Sequence, residues 1–165
     1  MVTIKNSRDL KFVTGGQTGV DRAALDFALC NEIACAGWCP QLRMAEDGPL
    51  PIRYPLTESY SPNPVVRTEL NVRDSDGILI LIVEDMDQGT QQTFDFAHLH
   101  AKPVFVWRIG VNRNFDQFDN WFAKNKIDTL NIAGPRESNQ PGIYSEALNT
   151  LDKLFEGLIL CGGNH

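Results

Sequence analysis

Apolar runs and amphipathic stretches alternate along this chain. Leu10 to Thr14 is a short apolar run, and Ile33 to Ala36 is a second. Gly77 to Val83 is almost entirely Ile, Leu and Val, as a strand buried on both faces should be. Pro103 to Trp107 and Thr129 to Ala133 complete the set of predicted strands. Between them the period changes to that of a helix. Val20 to Cys30 carries Val20, Ala23, Ala24, Phe27 and Ala28 on one face. Helices are also predicted at Val65 to Ser75, Gly89 to His100, Phe115 to Lys126 and Pro141 to Leu160. Strands alternating with helices imply a parallel sheet with right-handed crossovers. The fold class is therefore α/β: a Rossmann-like, doubly wound, mainly parallel sheet with helices on both faces.

One stretch breaks the alternation. From Gly37 to about Pro64 the chain holds Pro40, Pro49, Pro51, Pro55, Pro62 and Pro64, which excludes a regular helix. A loop this long in a small domain is functional or disordered. Its Trp38, Tyr54 and Tyr60 argue for order. With 165 residues and no convincing linker or repeat, the chain is read as one domain, 1–165, with a long ordered loop at about 37–64.

Charge narrows the partners. The net charge of -6 disfavours binding to a nucleic-acid backbone, and no run of Lys and Arg offsets it. No segment has the length of a membrane span or the core of a signal peptide, so a cytoplasmic protein is expected. Cys30, Cys35, Cys39 and Cys161 contain no C-x2-C pair, and His98 and His100 lack a matching motif, so no metal site is expected. The apolar stripe Leu148, Leu151, Leu154, Phe155 and Leu158 raises the prospect of a homo-oligomer; a core-facing helix shows the same pattern.

Two glycine-bearing turns carry the candidate chemistry. Gly15, Gly16, Gln17, Thr18 and Gly19 follow the first strand and open a helix. Such a turn can bring free amides and a helix dipole to a phosphate; it can also be no more than a tight strand-to-helix connection. A side chain at Gly16 is expected to obstruct the phosphate without harming the fold. Asp21 caps the helix or faces a ligand hydroxyl. The second turn, Asp87 to Thr93, follows the buried strand and contains Gly89 and Thr90. Charged residues of the long loop, Arg43, Glu46, Asp47 and Arg53, are lid candidates or simply solvated.

The stretch Gly15-Gly16-Gln17-Thr18-Gly19-Val20-Asp21-Arg22-Ala23-Ala24-Leu25 resembles the opening of the family named "putative molybdenum carrier". The likeness continues through Gly37-Trp38-Cys39-Pro40, Ala45 to Pro49, Tyr54 to Glu58, Arg67 to Glu69 and Asn71 to Gly77. It reappears at Ala133 to Ser138 and Pro141 to Tyr144. It implies a carrier of a phosphorylated, nucleotide-like or pterin-like ligand, with molybdenum cofactor or a nucleotide as the cofactor. The wider relatives are the Rossmann-like phosphoribohydrolases that activate cytokinins, often labelled lysine decarboxylases, which commonly pair. Their catalytic arginine falls on Arg67, and the Gly-Thr of their second motif on Gly89-Thr90. Their glutamate falls on Thr93, which removes the general acid/base. The implied ligand set is Gly15, Gly16, Gln17, Thr18, Gly19, Arg67, Gly89 and Thr90, with Arg73 on another helix face. The alternative is a nucleotide-processing hydrolase drawing a non-standard acid from Glu46, Asp47 or Glu69.

Overall fold

The computed structural model describes residues 9–157. Five parallel strands form the central sheet: β1 (Lys11–Val13), β2 (Ala34–Ala36), β3 (Gly77–Ile82), β4 (Val104–Arg108) and β5 (Thr129–Ala133). Their spatial order is β2-β1-β5-β3-β4. The last strand thus lies at the centre, between the first and the third. If β5 is counted first, the order becomes 3-2-1-4-5, that of a Rossmann sheet. The chain is a Rossmann-like sheet whose opening strand has moved to its end. The order reverses between β5 and β3. Ligands of such sheets bind outside the carboxyl ends of the strands at that reversal. The Gly15 turn after β1 lies one strand away from it.

Side-chain alternation divides the core into two layers. Leu79, Leu81, Leu130 and Ile132 pack with Ala24 and Phe27 of α1 (Val20–Cys30), and with Leu151 of the last helix. Ile78, Ile80 and Ile82 face the other way, against Val72 of α2 (Pro64–Arg73) and Ala97 of α3 (Gln88–Leu99). Phe118 and Phe122 of α4 (Phe115–Lys124) join the first layer. All six residues of β3 are buried, as expected of a strand covered on both faces.

Caps set the helix boundaries. Asn63 accepts a hydrogen bond from the Val65 amide, and Pro64 fills the first position, so α2 starts one residue before the predicted Val65. Asp87 accepts from the Thr90 amide and starts α3. The last helix, α5 (Ile143–Leu154), starts two residues after the predicted Pro141, because left-handed Gly142 (φ 88°) precedes its first turn. Residues 158–160 of the expected helix lie outside the described residues. Leu151, Leu154 and Phe155 of its apolar stripe are buried in the core, Leu148 packs against it partly buried, and Leu158 lies outside the described residues.

The segment from Gly37 to Pro64 is tied down at many points. Trp38–Cys39 pairs with Thr57–Glu58, and Met44–Ala45 with Gly48–Pro49. Arg43 donates to the carbonyls of Leu50, Leu56, Pro51 and Tyr54. Cys39, Leu50, Tyr54 and Leu56 form a small apolar cluster against Leu25. Tyr54 also donates to Asp26 at 2.6 Å. Trp38 reaches Asp74 through its indole N–H, whereas Tyr60 is exposed.

Candidate ligand-binding site

A cavity of about 450 Å³ opens at the carboxyl ends of β1, β5 and β3. Gly15, Gln17 and Asp21 come to it from the first turn, and Arg67, Thr68 and Asn71 from α2. The start of α3 contributes Asp87, Gln88, Gly89, Thr90, Gln92 and Thr93. The central strand and the turn after it add Asn131, Ala133, Gly134, Arg136 and Asn139. The size is that of a small-molecule site. Among the described residues no aromatic side chain lines it.

The two turns differ in what their amides do. In the first, the Gly16 amide donates to Thr14 Oγ1 at 3.1 Å, the Gln17 amide to Asp21 Oδ2 at 3.3 Å and the Thr18 amide to Gln17 Oε1 at 3.1 Å. The buried Asp21 carboxylate thus takes a place expected for a ligand anion. Arg67 Nη1 donates to it from the other side, at 3.2 Å. Burial pushes the Asp21 carboxyl above its ordinary range, even against the pull of Arg67 and the amides. In the second turn, the Thr90 amide donates to Asp87 Oδ1 at 2.8 Å, while the Gln88 and Gly89 amides ahead of it have no intrahelical partner, as at any helix start. Burial pushes the Asp87 carboxyl up, but hydrogen bonds from Asn139 and Thr90 hold it below its ordinary value.

Arg67 and Thr90 meet on this cavity. Among the described residues, Arg67 Nε and Thr90 Oγ1 are the buried side-chain nitrogen or oxygen atoms without a hydrogen-bond partner. Both residues line the cavity. An unpartnered buried polar atom costs about 1–3 kcal/mol, so two on one cavity call for an explanation. Gly89 adds a third observation. It lies in a helix, where glycine is unfavourable, yet a β-carbon there would meet nothing nearer than Asp87 Oδ1 at 3.9 Å. Its missing side chain leaves room at the start of α3.

The expected residues divide accordingly. Gly15, Gln17, Arg67, Gly89 and Thr90 line the cavity. Gly16, Thr18 and Gly19 stand behind it. Gly16 has φ +80°, and a β-carbon there would come within 2.6 Å of Leu56 and 2.7 Å of Leu50, not of the cavity. Thr18 bridges Glu46 and the Glu137 amide. Gly19 lets the turn after β5 approach, with the Glu137 nitrogen 2.8 Å from where its β-carbon would be. Arg73 is outside the cavity, paired with Asp74 at 2.7 Å.

The lid candidates serve other ends. Glu46 accepts from Ser138 and Thr18 and faces Arg136 at 3.7 Å, joining the loop to both turns. Asp47 pairs with Arg22 at 2.9 Å, and Glu69 with His100 at 3.0 Å. None of Arg43, Glu46, Asp47, Arg53 and Glu69 lines the cavity. Thr93, where the relatives' glutamate was aligned, does; its hydroxyl donates to the Gly89 carbonyl. Sequence reasoning missed Asn131, Arg136 and Asn139 as lining residues, and placed Asp87 in the second turn without a role. A polar residue between Leu130 and Ile132 in an otherwise apolar strand was the available signal for Asn131.

The sheet order and the polar cavity at its strand reversal define an α/β protein of the Rossmann-like class. The sequence profile of the circularly permutated YpsA SLOG family matches residues 12–155, and the chain belongs to that family. The permutation is the one visible in the central position of β5. A crystal structure of a putative molybdenum carrier protein from Syntrophus aciditrophicus is similar over 87% of this chain and 93% of its own, with 39% identity and a TM-score of 0.84. No curated protein matches the chain.

Proposed function

We propose that this chain binds a phosphorylated nucleotide-like or pterin-like ligand, as a carrier or sensor, in the cavity between α2 and α3. The single observation that carries this reading is that Arg67 and Thr90, each with a buried side-chain atom that lacks a hydrogen-bond partner, line one cavity. The phosphate belongs at the first turn of α3. There the helix dipole, the Gln88 and Gly89 amides ahead of the capped Thr90 amide, and the Arg67 guanidinium on the same cavity favour an anion. The Gly15 turn, its amides engaged internally, serves instead to seat Arg67 and Asp21.

The name of the Syntrophus protein suggests molybdenum as the cargo, and we take molybdenum cofactor, a phosphorylated pterin, as the form in which it would be held. The lining fits a phosphorylated organic molecule better than a bare metal ion. Among the described residues no group of three or more His, Cys, Asp or Glu is placed to hold a metal, and Cys39 is buried in the loop cluster. The metal would then enter as part of the cargo. The carboxylates on the cavity, Asp21 and Asp87, are both engaged by protein donors, which favours binding over hydrolysis.

Native mass spectrometry of protein purified from its own host tests the reading. A retained mass matching a phosphorylated heterocycle is expected. A clean apo mass, together with no thermal shift from any nucleotide or pterin phosphate, would contradict it.

A further inference from the structure

We propose that Asn131 selects the ligand's heterocycle, reading a ring edge that presents a hydrogen-bond donor beside an acceptor. The proposal rests on the cavity being the site of a phosphorylated ligand. Asn131 is in β5, the central strand, paired with Val13 of β1 and Ile78 of β3. Its neighbours Leu130 and Ile132 face the opposite layer of the core. Asn131 itself is only 4% exposed, and that exposure is to the cavity it lines.

The Asn71, Thr68 and Thr93 side chains around it are occupied. Both ends of the Asn71 carboxamide bond the Trp38 backbone, at 2.7 and 2.9 Å. The hydroxyls of Thr68 and Thr93 donate to carbonyls one helical turn back. The Asn131 carboxamide makes no hydrogen bond within the described residues, so its donor and acceptor are both available. A carboxamide offers these two side by side and matches an amide-like or amidine-like ring edge in a single plane. A ligand that fills the cavity removes the water from this group. It must replace both hydrogen bonds or lose affinity. Purines and pterins have such edges; ribose phosphate and inorganic phosphate do not. Among the described residues no aromatic side chain lines the cavity, so the preference falls to hydrogen bonding, and Asn131 is the carboxamide buried there without a protein partner.

The experiment is calorimetric titration of wild type, Asn131→Leu and Asn131→Asp with guanosine monophosphate, adenosine monophosphate, a pterin phosphate, ribose 5-phosphate and inorganic phosphate. Melting temperature is recorded for each protein. Wild type is expected to prefer at least one heterocyclic phosphate over ribose 5-phosphate. Asn131→Leu should lose about ten- to a hundredfold in affinity for that ligand and leave inorganic phosphate unchanged, with a melting temperature equal to or above wild type. Asn131→Asp keeps the shape and loses the donor, so it should lose the same preference. Full retention of the preference by both variants overturns the assignment and leaves the site standing. Equal loss for every probe together with a lowered melting temperature also overturns it, as a structural role. If wild type binds none of the probes, the site reading and the assignment fall together.

Discussion

Arg67 lies across the α-carbon of Gly15. A β-carbon at position 15 would overlap the guanidinium, and Arg67 Cδ would be 2.9 Å away. The first glycine of the turn is thus needed for an arginine supplied by another helix. Gly15→Ala should displace Arg67, break its contact with Asp21 and lower ligand affinity about ten- to a hundredfold. The double variant Gly15→Ala, Arg67→Lys should be little worse than either single one, because both act on one group. Additive losses in calorimetry would separate the two residues.

Arg67→Lys keeps the charge beside Asp21 but removes Nε and the planar fork. Affinity for a nucleoside monophosphate should fall about tenfold or more, while melting temperature changes little. Arg73→Ala, on the exposed side of the same helix, should change neither. A larger loss from Arg73→Ala than from Arg67→Lys would move the anion site off this cavity.

Gly89→Ala should stabilise and disable at once. Alanine in the first turn of α3 gains about 0.5–1 kcal/mol over glycine. Its methyl group meets no protein atom closer than 3.9 Å but enters the ligand's space. A raised melting temperature with reduced affinity is expected. Unchanged affinity would place the phosphate elsewhere.

Gly16→Val reverses what the sequence alone suggests. A β-branched residue at φ +80°, pressed on Leu50 and Leu56, should cost about 2–4 kcal/mol of stability. Chemical denaturation measures this directly. A fully stable Gly16→Val protein would show that the loop cluster yields without cost.

Acid should loosen the join between the loop and the turn after β5. Burial raises the Glu46 carboxyl, but hydrogen bonds from Ser138 and Thr18 and the charge of Arg136 hold it below its ordinary 4.5. A depressed carboxylate contributes stability above its unfolded value, lost as pH falls through its folded value. The loss from Glu46 therefore lies below about pH 4.5. Glu46→Gln should flatten that part of the stability profile, and an unaltered profile would show that Glu46 carries no such load. Asp21, with its raised value, works in the opposite sense: its contribution is lost as pH rises through its folded value.

The sequence was informative where the signal is local. The bounds of α1 and β5 agree with the apolar pattern, since each buries a continuous face. The resemblance to the phosphoribohydrolases singles out Arg67, Gly89 and Thr90, and all three line the cavity. The central position of β5 was not, because it depends on pairing with β1 across more than a hundred residues. The internal use of the Gly15 turn was hidden for a related reason: the acceptor Asp21 is local, but Arg67, which fixes it, comes from a distant helix. Arg43 read as a charged loop residue, whereas four backbone carbonyls make it the centre of the loop's folding.

The most direct measurement is a crystal structure of the complex with a nucleoside monophosphate or pterin phosphate at saturating concentration. The account predicts phosphate oxygens at the first turn of α3, within hydrogen-bond distance of Arg67 Nε and Thr90 Oγ1. Ligand bound away from these two atoms, or a cavity that holds only water at saturation, would contradict it.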